Sequence, residues 1–207
     1  NQIRKIVITT ATVSLLAGSI TSGASNGIGS NALFNRPYGI VISSDSSYAL
    51  VADTNNNQIR QIILSTLQVS VFAGQTATGT ANGVGSNAMF YNPYGIDISS
   101  DGSYILVADS VNFQVRKIIL SSSSTATPTY APSTSSSSLS LVSTLAGSST
   151  TGSSNGVGTN ALFSSPIGVS ISPDNTYCLI TDYNNNQIRQ IIISTTTISS
   201  FVGQTGG

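Results

Sequence analysis

Three aspartates and three arginines recur at a fixed separation. Asp53, Asp109 and Asp182 each stand seven residues before an arginine: Arg60, Arg116 and Arg189. An acid and a base so placed can form an ion pair, and the carboxylates can in principle ring a cation. Their repetition argues for a structural role. Each Asp can accept backbone N–H bonds within its turn and pair with its Arg. One carboxylate per repeat is also too sparse for a calcium cage, which takes about 6–8 oxygens.

A second candidate is the loop Asn26-Gly27-Ile28-Gly29, with its copies Asn82-Gly83-Val84-Gly85 and Asn155-Gly156-Val157-Gly158. Glycines of this kind can cradle a phosphate, but the lysine of a P-loop and the long helix that should follow are missing. The glycines are expected to supply positive φ in a long loop. Asn26, Asn82 and Asn155 then mark loops that would line a binding face. The next four residues, Asn31-Ala32-Leu33-Phe34, are expected to form one helical turn capped by Asn31. Phe34, Phe90 and Phe163 should plug the space between neighbouring units, and Cys178 should be a buried small hydrophobe.

Composition narrows the chemistry further. The chain has 207 residues, seven basic and seven acidic, with no net charge; every acid is Asp. Charged residues make up 7%, against roughly 25% in an ordinary domain. A nucleic-acid binder needs clustered Lys and Arg, which this chain lacks. With no His there is no imidazole for a zinc site, a proton shuttle or a Ser-His-Asp triad. One Cys excludes an internal disulfide and a multi-thiolate metal site. No apolar run reaches the ~18 residues of a membrane span. Neither catalytic nor metal-ligating residues are assigned, and no cofactor is expected.

The chain is rich in hydroxyls, with 61 Ser and Thr. They fall between short apolar blocks, which is the layout of many short strands joined by polar turns. One stretch stands apart. Residues 121–139 are Ser/Thr-rich with Pro128 and Pro132, a mucin-like composition. Two readings stay open for it, an unmodified flexible loop or an O-glycosylated one with Thr125, Thr127, Thr129, Ser133 and Thr134 as acceptors. No Asn-X-Ser/Thr sequon occurs, so N-glycans are not expected. With so little charge, solubility must come from hydroxyls, amides and sugars. That points to the cell exterior or surface.

The elements that must position these residues repeat throughout the chain. Asn57-Gln58-Ile59-Arg60 repeats Asn1-Gln2-Ile3-Arg4 after 56 residues, and Phe113-Gln114-Val115-Arg116 follows after another 56. Asn186-Gln187-Ile188-Arg189 follows after 73, the excess falling in the Ser-rich stretch. Four antiparallel strands are expected per unit: about Tyr38–Ser43, Tyr48–Asp53, Gln58–Leu64 and Val69–Ala73. The near-continuous apolar runs Ala49-Leu50-Val51-Ala52 and Ile62-Ile63-Leu64 require both faces of each small sheet to be covered. Alternate turns lie on opposite faces. The Gly/Asn loops and the Asp-Thr-Asn-Asn turns therefore share one face, the better candidate for binding because its long loops can adapt.

Pro37-Tyr38-Gly39-Ile40, Val51-Ala52-Asp53-Thr54-Asn55-Asn56-Asn57-Gln58-Ile59-Arg60 and Phe72-Ala73-Gly74 resemble the NHL repeat. The resemblance covers nearly the whole chain outside the insert. It implies an all-β fold of β-propeller blades with four antiparallel strands each. Three full blades and half of a preceding one are expected: residues 1–17 as the last two strands of that blade, 18–74 as blade 1, 75–147 as blade 2 with the insert 121–139, and 148–207 as blade 3. Such a ring is incomplete. It needs the remainder of a longer chain, or further copies, to close.

NHL-type propellers include lyases that hold zinc through His and proteins that bind RNA through basic faces. This chain has neither feature. The expectation is a non-enzymatic structural or interaction protein, extracellular, and able to self-assemble into a fibre or matrix. The alternative is a ligand- or protein-binding module of a larger multidomain protein. Expected partners are the chain itself or another protein, with O-linked glycans, and neither nucleic acid nor a membrane span.

Overall fold

The computed structural model describes residues 1–120 and 140–204. The candidate glycosylation positions Thr125, Thr127, Thr129, Ser133 and Thr134 lie outside the described residues.

The architecture is all-β, in sheets that follow one another along the chain. A hairpin comes first, β1 (Gln2–Val7) with β2 (Thr12–Gly18). The first full sheet holds β3 (Gly27–Ile28), β4 (Pro37–Ile42), β5 (Tyr48–Asp53), β6 (Gln58–Ile63) and β7 (Gln68–Gly74). The second holds β8 (Gly83–Val84), β9 (Pro93–Ile98), β10 (Tyr104–Asp109), β11 (Gln114–Leu120) and β12 (Ser140–Ala146). The third holds β13 (Gly156–Val157), β14 (Pro166–Ile171), β15 (Tyr177–Asp182), β16 (Gln187–Ile192) and β17 (Thr197–Gly203). Spatial order in the first sheet is β3-β7-β6-β5-β4, and the other two repeat it. These are propeller-type blades that do not close into a ring.

Two sequence expectations need correction. Each full sheet has a fifth strand of two residues, drawn from the Gly/Asn loop and hydrogen-bonded to the outermost long strand. The helical turn lies earlier than expected, at Gly29–Asn31, and Asn31 ends it rather than capping it with its side chain. Gly29 adopts φ +55, a left-handed conformation that glycine enters without steric cost. The loop is also less adaptable than its composition suggests. Gly23 N–H donates to Phe34 O at 3.1 Å and Leu33 N–H to Ser25 O at 3.0 Å, which folds it on itself.

Side chains alternate across a strand, so each sheet feeds two cores. Leu50 and Ala52 pack forward against Phe90, Ile96, Ile105 and Val107 of the second sheet. Val51, between them, packs backward with Ile3, Ala17 and Phe34. Leu106 likewise faces Phe163, Cys178 and Ile180 of the third sheet. This is why the apolar runs are nearly continuous: both faces of each interior blade are covered.

The inner strands β4, β9 and β14 lie side by side, near the axis about which the blades turn. Gly39 and Gly95 lie there against the backbone of the next inner strand, and a Cβ on either would strike the carbonyl oxygen of Tyr94 or Ile167. Asp97 ties two blades, its Oδ2 accepting the Ile171 N–H at 2.7 Å.

Phe90 is wholly enclosed at its junction, whereas Phe201 on the outer strand of the third sheet is 58% exposed. Phe90→Ala should therefore cost about 3–5 kcal/mol. Phe201→Ala should cost less than about 0.5 kcal/mol. Urea unfolding followed by far-ultraviolet circular dichroism measures both.

Candidate functional site

The strand β5 ends at Asp53, and a 3-10 turn over Thr54–Asn56 carries the chain into β6. Asn57 closes that turn at φ 56, in the left-handed region that Asn tolerates better than most side chains. Two residues into β6 the register shifts between Ile59 and Arg60. The extra residue of this bulge is Phe72 of β7, opposite the Ile59–Arg60 step, and from there the guanidinium reaches back to the turn at Asp53.

Asp53 and Arg60 meet at 3.0 Å, both fully buried. Asp109 and Arg116 meet at 2.9 Å, and Asp182 and Arg189 at 3.0 Å, with the same burial. Both carboxylate oxygens are engaged. Asp53 Oδ1 accepts the Asn35 N–H at 2.7 Å, while Oδ2 accepts Asn56 Nδ2 at 2.7 Å and Arg60 Nη1. The guanidinium reaches into the Gly/Asn loop. Nη1 also donates to Leu33 O at 3.1 Å, and Nη2 donates to Ser25 O at 3.2 Å and to Asn26 Oδ1 at 2.8 Å. Its Cζ lies over the Phe34 ring, 5.3 Å from the centroid, within range of a cation–π contact. The second blade repeats this with Asn82 and Phe90, and the third with Asn155 and Phe163.

The structure thus brings the Asp and Arg of each blade into one buried pair, and the exposed loop asparagines Asn26, Asn82 and Asn155 each accept a bond from its guanidinium. It draws in residues that sequence reasoning passed over. Asn56, Asn112 and Asn185 donate to both the carboxylate and a loop carbonyl. Their signal was present, since each stands three residues after its Asp. The Arg–Phe stacking had no comparable signal, because the two residues are 26 positions apart in each unit.

Among the described residues, no group of three or more His, Cys, Asp or Glu could hold a metal ion. Cys178 is buried, and burial, with the nearby Asp97 charge, pushes its thiol up to about 12, far from a reactive thiolate. What stays accessible is aromatic and apolar. Tyr38 and Tyr94 meet edge to face with centroids 4.8 Å apart, and Tyr38 is 64% exposed. Three of the open depressions among the described residues lie at the unfinished edges. Those of about 300 and 260 Å³ flank Arg4, between β1 and β4. The third, about 380 Å³, is lined by Asp182, Tyr183, Asn186, Val202 and Gly203 on the outer face of the last blade.

Comparison with known proteins supports the blade assignment. No protein-family model matches the chain. It is similar to NHL repeat-containing protein 2 of Bos taurus, with 27% identity over 180 residues, 81% of this chain and 22% of that protein. An auxiliary nutrient binding protein from Bacteroides ovatus superimposes with a TM-score of 0.66 at 16% identity, over 97% of this chain and 43% of that one. The periplasmic gluconolactonase of Pseudomonas aeruginosa gives a TM-score of 0.51 at 14% identity, over 83% and 40%. These structural likenesses carry the fold alone. The chain spans about a fifth of the bovine relative and less than half of either solved structure.

Asp53 and Asp109 shift in one direction, and the turn aspartates Asp45 and Asp101 in the other. Burial raises Asp109 to about 6, against the lowering effects of Asn112, the Tyr91 N–H and Arg116. Asp53 moves the same way for the same first reason. The exposed turn aspartates go down. A hydroxyl bond from Ser43, then bonds from Ser47, hold Asp45 at about 2, and Ser99 and Ser103 do the same for Asp101.

A lowered carboxylate stabilises the fold above its unfolded pKa and loses that contribution as pH falls through its folded value. A raised one stabilises the fold at low pH and loses that contribution as pH rises through its folded value. Unfolding free energy should therefore climb from pH 2 to about 4 and decline from about 4 to about 6.5. Asp109→Asn should flatten the second limb. Urea midpoints measured at pH 2.5, 4 and 6.5 check both limbs.

Proposed function

We propose that this chain is a non-enzymatic structural or interaction protein that acts outside the cell or at its surface. Its NHL-type blades work by packing, against further blades, against copies in a fibre or matrix, or against a protein partner. The observation that carries this reading is the fate of the charged residues. The aspartate and arginine that every full blade supplies are enclosed and bonded to each other and to their loop. Groups in that state hold a scaffold together, and burial keeps both the carboxylate and the guanidinium away from a substrate. The Ser/Thr/Pro composition of 121–139 and the sparse charge support an extracellular setting, with O-linked sugars on Thr125, Thr127, Thr129, Ser133 and Thr134.

A second reading, a ligand-binding module of a larger protein, is favoured by the exposed Tyr38, which meets the half-buried Tyr94 at the inner edge of the blades. A tyrosine offers a ligand an apolar ring with a polar tip.

Protease shaving of intact cells with glycopeptide mass spectrometry of the native protein tests the main reading. Peptides released from the surface, with hexose between Thr125 and Thr134, are the expected result. An unmodified cytosolic protein would count against it. So would hydrolase or lyase turnover that a single substitution in this chain abolishes.

A further inference from the structure

The second blade departs from the repeat at three positions that lie on two neighbouring turns. Where the first blade has Asn35, Asn55 and Asn57, and the third has Ser164, Asn184 and Asn186, the second has Tyr91, Val111 and Phe113. Polar side chains in both neighbours become apolar or aromatic in the blade between them. The first two positions meet in every blade. The Val111 N–H donates to Tyr91 O at 3.2 Å, as the Asn55 N–H does to Asn35 O and the Asn184 N–H to Ser164 O. Tyr91 is 40% exposed and Val111 39%. The second sheet has a blade packed on each of its faces, so neither exposure comes from an uncovered blade.

The third change carries a cost. Phe113 closes the turn that holds Val111 and adopts φ 55, a left-handed conformation in which a bulky side chain is an outlier and Asn is not. It also gives up what Asn57 does at the same place, accepting the Asn92 N–H at 2.9 Å and donating to Thr76 O at 3.0 Å. An asparagine would serve the fold better, as the first blade shows. Residues held in such conformations cluster where proteins hold ligands.

The rim of this corner is polar and uncharged. Asn92 follows Tyr91 in the chain, and its Nδ2 donates to Oδ1 of the exposed Asn55 at 3.4 Å, across the junction with the first blade. Each amide has further donor and acceptor capacity. The charged groups of this blade's turn, Asp109 and Arg116, are buried and paired with each other.

We infer that this corner is a binding site for a neutral saccharide, with one pyranose ring lying on Tyr91. The C–H groups of a sugar face are weakly positive and the face of an aromatic ring is negative, so the two stack. Val111 extends the apolar floor, and the amides of Asn55 and Asn92 take the ring hydroxyls. Size favours a sugar over a protein. Two partly exposed side chains offer far less than the about 800 Å² per partner that a stable protein interface needs. Charge disfavours an acidic or phosphate-bearing ligand, since none of these residues is a cation.

The inference goes beyond the packing role proposed above. It rests on no feature of localisation, self-assembly or glycosylation, so either can fail alone. The probes are cellohexaose, maltohexaose, mannohexaose and xylohexaose. Each is titrated up to about 10 mM into the whole, unglycosylated chain and followed by saturation-transfer NMR. At least one should bind saturably and shift the Tyr91 ring resonances. Tyr91→Ala should weaken that binding at least about tenfold, and Tyr91→Phe should keep it within about threefold. Tyr183→Ala, at another exposed tyrosine, should leave it unchanged. Combining Tyr91→Asn, Val111→Asn and Phe113→Asn gives the corner the residues of the first blade. That chain should keep its circular dichroism spectrum and lose the saccharide.

No saturable binding of any hexaose, binding that survives Tyr91→Ala or the triple change, or equal losses from Tyr91→Phe and Tyr91→Ala would each overturn the inference. Self-association of the chain that Tyr91→Ala abolishes would place a second copy at the corner and overturn it too.

Discussion

The fold depends on one buried ion pair made three times. Each Asp–Arg pair is out of water, and two charges taken out of water cost more than their attraction returns unless further hydrogen bonds satisfy them. Here the bonds come from an adjacent Asn, a backbone N–H and two loop carbonyls. The Gly/Asn loop is therefore part of the solution to a charge-burial problem. It wraps over the guanidinium because the guanidinium has donors to satisfy, and it brings Phe34 underneath because the flat cation accepts an aromatic face. One N–H is left over: the Nε of Arg60, Arg116 and Arg189 has no hydrogen-bond partner.

From this cluster the spacing of the blades follows. The same Phe that stacks on the arginine of its own blade also presses on the preceding one. Gly74, at φ +86, leaves room for Phe90, and a Cβ there would come within 2.8 Å of the ring. The ion pair, the loop and the blade junction are thus mechanically one device. Asn57 reinforces it across the junction, accepting the Asn92 N–H at 2.9 Å, as Asn1 accepts that of Arg36 at the same distance. Phe113 stands at this position between the second and third blades, so the hydrogen bond is not required at every junction.

Much of this was legible in the sequence because it repeats. The four long strands of each blade fall within a residue or two of the runs marked by Pro37, Tyr48, Gln58 and Val69, since turn residues and apolar blocks alternate so regularly. The fifth strand was not legible. Gly27-Ile28 is too short to carry an alternation pattern, and it is a strand only because β7 offers it an edge. The helical turn was misplaced toward Phe34 for a related reason. Asn31 reads locally as a cap, but the chain beyond it is drawn into the cluster, where Leu33 and Phe34 have carbonyls and a ring to place.

Local chemistry and periodicity, both written in one dimension, were enough to determine an all-β chain of equivalent blades and the acid, base and loop asparagine that recur in each. Which of these groups meet was decided only when the chain closed on itself. Arg60 lies seven residues from its aspartate but 34 from Asn26 and 26 from Phe34, and no pattern within a strand encodes such distances. Contacts of that span exist because sheet stacking brings loop and bulge together and excludes water from the space between them. Where the stacking stops, at β1, an identical arginine with an identical bulge stays in solvent.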